Sequence, residues 1–396
     1  MPNDARPGST AVERAARLGR LATDALTAFV EGDAEPGDAG ALVLASLAAE
    51  GDGPVPSIET VAEAWLGRYE PESGLGLHGG VGAVALGLGC AAPFSERLAA
   101  FHARIQRAIL DRVARTRWPR PARDWFDYDL VTGPAGTLLV LCADRAVDPA
   151  ELRPPAAHLA GLLRSSDMEG FRITGCRGDT LRGWNVDAVN LGLAHGVGGP
   201  IAALTAYVRR SGDAAAPEAE TLAAAARWLL AQAHDDPLGL RTWAPRRRDD
   251  DLGHRPASRR EAWCYGAPGI AWVLWDAGAA LGLADLRAGA EDAFDRFAAG
   301  FDPGFHLDAD PAERLAICHG AAGILLVADA FARHADSRSG ERLARRVERL
   351  LEAELPEVPA LAKADPSLLA GGCGVLAALL VRNGAGRGWL AALALR

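Results

Sequence analysis

Cys264, Cys318 and His319 are the residues of this 396-residue chain whose types and spacing could do chemistry together. Each stands just before a glycine: Cys264 in Trp263-Cys264-Tyr265-Gly266, the other two in Cys318-His319-Gly320. Zinc favours tetrahedral sites of thiolate and imidazole, and a catalytic zinc keeps one position open. Two cysteines and a histidine at corresponding turns of a repeat therefore read as three ligands for one Zn²⁺, provided the turn fans Cys318 and His319 apart. The plain alternative for a single cysteine is a small buried hydrophobe. That is the expectation for Cys90, Cys142 and Cys373, which lie in apolar helical contexts or at a packed turn. Arg260, four residues before Cys264, and Tyr265, directly after it, are candidate ligand-orienting or substrate-contacting groups. A helix-start surface charge and a packed turn aromatic are the respective alternatives.

The elements that must position these residues form a repeat. Six glycine pairs three residues apart, beginning at Gly79, Gly133, Gly196, Gly266, Gly320 and Gly371, follow a weaker pair, Gly37 and Gly40. Apolar segments follow most of them, such as Ile270–Leu281 and Ile324–Phe331; helices apolar on every face are buried. Amphipathic segments lie between. From Glu341 to Leu355, Leu343, Val347, Leu350, Leu351 and Leu355 share one stripe, with Arg and Glu opposite. Asp148-Pro149-Ala150-Glu151 has the cap, early proline and acidic residue of a helix start. Seven amphipathic helices alternating with seven buried ones predict an all-α fold, an α/α toroid with an inner and an outer ring. The repetition argues for one domain over 1–396. Sharp turns into crowded inner helices explain the glycines, which permit unusual φ and close backbone approach. Two longer loops interrupt the pattern. Residues 165–190 hold Cys176, Arg177, Trp184 and Asp187; residues 234–261 hold Arg246-Arg247-Arg248 and Asp249-Asp250-Asp251, expected to be a solvated tip.

Composition limits the partners. A formal net charge of −9 exerts no pull toward nucleic acid or an anionic membrane. No apolar run reaches spanning length, and the first twenty residues lack a signal-peptide core, so a cytoplasmic protein without stable membrane insertion is expected. In such a protein six cysteines suggest metal or catalytic roles before a disulfide framework.

The turns resemble a known family. Cys264 within AWCYGAPG, Cys318-His319-Gly320 within ICHGAAG and His195-Gly196 within NLGLAHGVGG look like the signature turns of lanthionine synthetase C-like proteins, and Asp129 within DYDLVTGPAG matches their acidic position. The likeness runs through all seven repeats. His78 in the second repeat is a departure and is not expected to be functional. The resemblance implies a toroid of seven inner and seven outer helices with zinc at one mouth. It implies a stand-alone cyclase, which adds peptide cysteine thiols to dehydroalanine or dehydrobutyrine and so closes thioether rings. The partners implied are a dehydrated precursor peptide and a separate dehydratase.

That chemistry suits the residues. A free thiol has a pKa near ~8.5 and attacks as the thiolate; zinc coordination supplies the thiolate at neutral pH. Addition to the β-carbon makes an enolate that needs a proton. By family analogy His195 delivers it; removing the thiol proton, or acting as a fourth zinc ligand, are open alternatives. Asp129 would orient or charge-balance the site, or simply cap a turn. Addition of glutathione or another small thiol uses the same residues. A scaffold with structural zinc would close the fourth position. A carbohydrate-active barrel would need paired carboxylates, where these turns offer Cys and His.

Overall fold

Glycine marks where each inner helix begins, and the reason is mostly steric. In the computed structural model, which describes residues 7–51, 56–71, 74–173, 187–248 and 257–396, a side chain at the second glycine of a pair has no room. A Cβ at Gly136, Gly269, Gly323 or Gly374 would collide with the carbonyl oxygen of Leu130, Trp263, Ile317 or Leu368 respectively, each six residues earlier. The turn folds back so tightly that its own carbonyl occupies the Cβ position. Left-handed backbone is needed more rarely: Gly266 has φ of 85° and Gly79 has φ of 71°.

Seven inner helices follow these turns: Gly40–Ala49, Val81–Ala91, Pro134–Ala143, Gly198–Ser211, Ala267–Leu281, Ala321–His334 and Gly372–Arg382. Each packs against the next, and Gly372–Arg382 packs against Gly40–Ala49, closing the ring. They are buried on nearly every face, as Ala321 through Phe331 illustrate. The outer helices are Pro7–Glu31, Ile58–Leu66, Glu96–Arg115, Arg153–Leu163, Ala216–Ala231, Ala284–Gly300 and Arg338–Ala353. They bury one stripe each. In the last, Leu343, Ala344, Val347 and Leu351 face inward, and the Ser337 side chain accepts from Gly340 N at 3.0 Å. Asp148 caps a short 3₁₀ turn, Pro149–Leu152, that leads into Arg153–Leu163. One long outer helix lies between successive inner helices, with the short helices Pro303–His306, Pro311–Leu315 and Val358–Ala364 in the connections, and the inner helices start from turns that share one mouth of the toroid.

Backbone hydrogen bonds lace the turns of that mouth into a collar. Gly79 N donates to Gly37 O, His78 N to Val131 O, Leu130 N to Ala194 O, Leu193 N to Cys264 O, Cys264 N to Cys318 O, and Cys318 N to Leu369 O. Asp38 closes the circle, its carboxylate accepting from Gly40 N at 2.8 Å and Leu368 N at 2.7 Å. The C-terminal turn Gly388–Leu393 packs on the second and third inner helices. The indoles of Trp263 and Trp272 donate to Leu393 O at 2.9 Å and Ala394 O at 2.8 Å.

Two departures from the helical expectation are small. Val189–Asn190 pairs antiparallel with Arg246–Arg247, and His234–Asp235 with Arg241–Thr242. The arginine run is therefore not a solvated tip. Arg246, Arg247 and Arg248 are half-buried, and Arg247 reaches Asp167 at 2.6 Å. Cys176, Arg177, Trp184 and the run Asp249–Asp251 lie outside the described residues. No helix among the described residues is long and apolar enough to cross a membrane.

Candidate metal centre and the mouth around it

The collar brings Cys264 and Cys318 together, because the amide of one donates to the carbonyl of the other at 3.3 Å. Their sulfurs and an imidazole nitrogen of His319 lie within 4.8 Å of one another. Cys318 Sγ and His319 Nε2 are 3.9 Å apart, so the turn does fan adjacent side chains apart around one point. Two sulfurs and one nitrogen at this separation fit the tetrahedral donor set that zinc prefers. The electrostatics agree. Burial opposes ionisation of Cys264, yet hydrogen bonds from Cys318 and His319 and the charges of His319 and Arg260 bring its thiol below the usual range. Cys318 moves the opposite way, pushed up first by the Cys264 thiolate beside it and then by burial. The two thiols thus share one readily formed negative charge. Thiolate pairing with Cys264 raises His319, against burial. Glu313 Oε2 stands 3.5 Å from His319 Nδ1, the nitrogen that faces away from Cys318.

On the neighbouring turn, His195 Nδ1 is 2.5 Å from Asp129 Oδ2. Asp129 is fully buried, and its other oxygen accepts from Thr132 N at 2.7 Å and Thr132 Oγ1 at 3.0 Å. An acceptor-only carboxylate makes Nδ1 the donor and leaves Nε2 to the mouth. Tyr265 bridges the two groups of residues. Its hydroxyl accepts from Asn190 Nδ2 at 2.9 Å. Its ionisation is pushed up first by burial and then by the nearby charges of Cys264, Cys318 and Asp129. Tyr265 therefore stays a phenol. Arg260 is exposed at the rim, within electrostatic reach of Cys264, Cys318 and His319.

Sequence reasoning did not single out four neighbours: Trp125, Asn190, Glu261 and Glu313. Asn190, Glu261 and Glu313 share a signal with Asp129, being polar residues four to seven positions before the first glycine of a pair. Trp125 had none. Glu261 is wholly buried and accepts from Thr242 Oγ1 at 2.6 Å and Ala267 N at 2.5 Å; burial pushes its carboxyl up to about 7, against those hydrogen bonds. His78 makes its own pair with Asp38 at 2.8 Å, beside the seam of the ring. A cavity of about 660 Å³ lies at the C-terminal ends of the first three inner helices, away from all these residues, with Glu50, Cys90, His102, Asp144 and Trp389 on its wall. Burial pushes the Cys90 and Cys142 thiols up to about 12, which keeps them unreactive.

The model of the family "Lanthionine synthetase C-like protein" matches residues 56–387. The chain belongs to the lanthionine synthetase C-like family. Among solved structures, nisin cyclase matches with a TM-score of 0.75 at 18% identity, over 92% of each chain. At that identity the likeness establishes the shared toroid. No curated protein matches.

Proposed function

We propose that this member of the family is a zinc-dependent lanthipeptide cyclase. Its reaction would join a peptide cysteine sulfur to the β-carbon of dehydroalanine or dehydrobutyrine. The observation that carries the reading is the convergence of Cys264, Cys318 and His319 beside the Asp129–His195 pair at one mouth. Cys264, Cys318 and His319 would hold Zn²⁺, which when bound would make the substrate thiol a thiolate at neutral pH.

The chain's own residues would handle the proton and the charge. His195 Nε2 takes the proton released by the substrate thiol. As the S–Cβ bond forms, the alkene π pair becomes an enolate, and Nε2–H returns a proton to the α-carbon. The net change is addition, with no leaving group and no change in mass. Asp129 fixes the imidazole with Nδ1–H toward itself, so that Nε2 does both transfers. Tyr265, held by Asn190, and Arg260 at the rim offer a hydroxyl and a positive charge to the developing enolate. The inner-helix N-termini aim their dipoles at the same mouth, and most of those helices carry no side-chain cap. The dehydrated peptide, a separate dehydratase and a reducing cytoplasm complete the proposed setting.

The test is thiol-alkylation mass spectrometry of a dehydrated, cysteine-containing peptide incubated with the protein. Loss of alkylatable thiols at constant mass supports the cyclase. Added glutathione appearing in the product instead would favour small-thiol transfer. A zinc-loaded protein that leaves every thiol free across a panel of such peptides would favour a scaffold.

A further inference from the structure

We propose that Trp125 is a positioning residue for His195, and that it fixes the face from which the α-carbon of the new thioether is protonated. This rests on the cyclase reading above. The indole of Trp125 stacks on the His195 imidazole, with ring centroids 4.5 Å apart and planes at 17°. One short turn grips His195 in three ways. Trp125 covers a ring face, Asp129 takes Nδ1 at 2.5 Å, and the Tyr128 hydroxyl donates to the His195 carbonyl at 3.2 Å.

The turn itself is built to be stiff. Asp124 and Asp127 form a reciprocal cap around Trp125–Asp127. Asp124 Oδ1 accepts from Trp125 N at 2.6 Å, and Asp127 Oδ2 accepts from Arg123 N at 2.7 Å. The Trp125 carbonyl accepts from Asp129 N at 2.9 Å, which ties the stacking partner to the Nδ1 partner. From outside, His158 Nε2 lies 2.6 Å from the Asp127 carbonyl. Trp125 Nε1 is covered and makes no hydrogen bond among the described residues, so the ring face is what this indole contributes.

The consequence is geometric. An imidazole held only at Nδ1 still swings about that hydrogen bond, and its Nε2 sweeps an arc. Stacking removes that freedom. The side chain of His195 is 26% exposed, and Asp129 and Trp125 cover its Nδ1 and one ring face. Nε2–H then approaches a bound enolate from one side only. The α-carbon accepts its proton there, and one configuration results.

Three readouts on zinc-loaded wild type, Trp125→Ala and Trp125→Phe test this. The first is zinc content with thermal melting. The second is the rate of thiol loss, together with chiral chromatography of the hydrolysed thioether amino acid. The third needs no turnover: the ¹³C-histidine spectrum, with the His195 signals assigned by their loss in His195→Asn. Expected for Trp125→Ala are wild-type zinc, a shifted and broadened His195 resonance, thiol loss slowed by about 10–100-fold, and a mixture of α-carbon configurations after subtraction of the uncatalysed background. Trp125→Phe, which keeps an aromatic face, should restore most of the rate and a single configuration. An unmoved His195 resonance in Trp125→Ala would overturn the proposal, whether or not the protein is active. Wild-type stereochemical purity in that variant, or a Phe variant as defective as Ala, would overturn it as well. Failure of the cyclase reading looks different: wild type would close no rings while the His195 resonance still moved in Trp125→Ala.

Discussion

His195 and Glu261 make separable claims at the scale of single residues. His195→Asn should retain zinc and lose about 10²–10⁴ in cyclisation rate, the usual cost of removing a general acid–base group. Zinc content and thiol disappearance measured on one sample decide it. Joint loss of both would make His195 a ligand of a closed site, and unchanged activity would make it a packing residue. Glu261 is expected to govern stability. Its carboxyl, raised by burial from 4.5 to about 7, keeps in the fold a proton that the unfolded chain releases. The raised value contributes stability that is fully present below about pH 4.5 and lost as pH rises through about 7. Between pH 5 and pH 8, wild type should therefore lose up to about 3 kcal/mol relative to Glu261→Gln. Urea melts at pH 5, 6.5 and 8 test this, and a difference that ignores pH would refute it. Residue types were legible where they repeat. Cys264, Cys318, His319 and His195 stand at matching distances from matching glycines, and Asp129 stands in a signature turn. Trp125 was not legible, because stacking on a residue 70 positions away leaves no local pattern. Glu313 was not singled out, because its one signal is a place seven residues before Gly320, further from the glycine than Asp129 is from Gly133.

The elements were legible from hydrophobic period, and the turns were only half so. Apolar-all-round segments and one-sided stripes foretold which helices form the inner and outer rings, since burial on every face and burial on one face leave different patterns. The collar was invisible, because backbone hydrogen bonds between turns place no demand on side-chain type. The two short strand pairs escaped for the same reason, and two-residue strands have no period to read. The collar's tightness gives a sharp expectation. Gly374→Ala forces a methyl against the Leu368 carbonyl and should cost about 1–3 kcal/mol or more. Gly19→Ala, mid-helix in Pro7–Glu31 with nothing within 4 Å of the new Cβ, should gain about 0.5–1 kcal/mol. Paired denaturant midpoints with opposite signs are expected. An unharmed Gly374→Ala would mean that the turn relaxes and that glycine there is incidental.

For the whole molecule, the ring and the C-terminal turn packed on it bury a core far larger than one metal site could organise. Chelation should leave the far-UV circular dichroism strongly helical, because the toroid's folding energy resides in its helix packing. Collapse of that signal would make the metal structural and return the scaffold reading to the front. Closure of the toroid was foreseen in outline from seven repeats. The seat of the C-terminal turn was not, since its hydrogen bonds to Trp263 and Trp272 join residues more than 100 positions apart. The proposed chemistry depends most directly on the metal. Elemental analysis of purified wild type, Cys264→Ala and Cys318→Ala should find close to one zinc per chain in the first and strong loss in both variants. Full zinc retention in either variant, or wild type purified without zinc and unable to take it up, would contradict it.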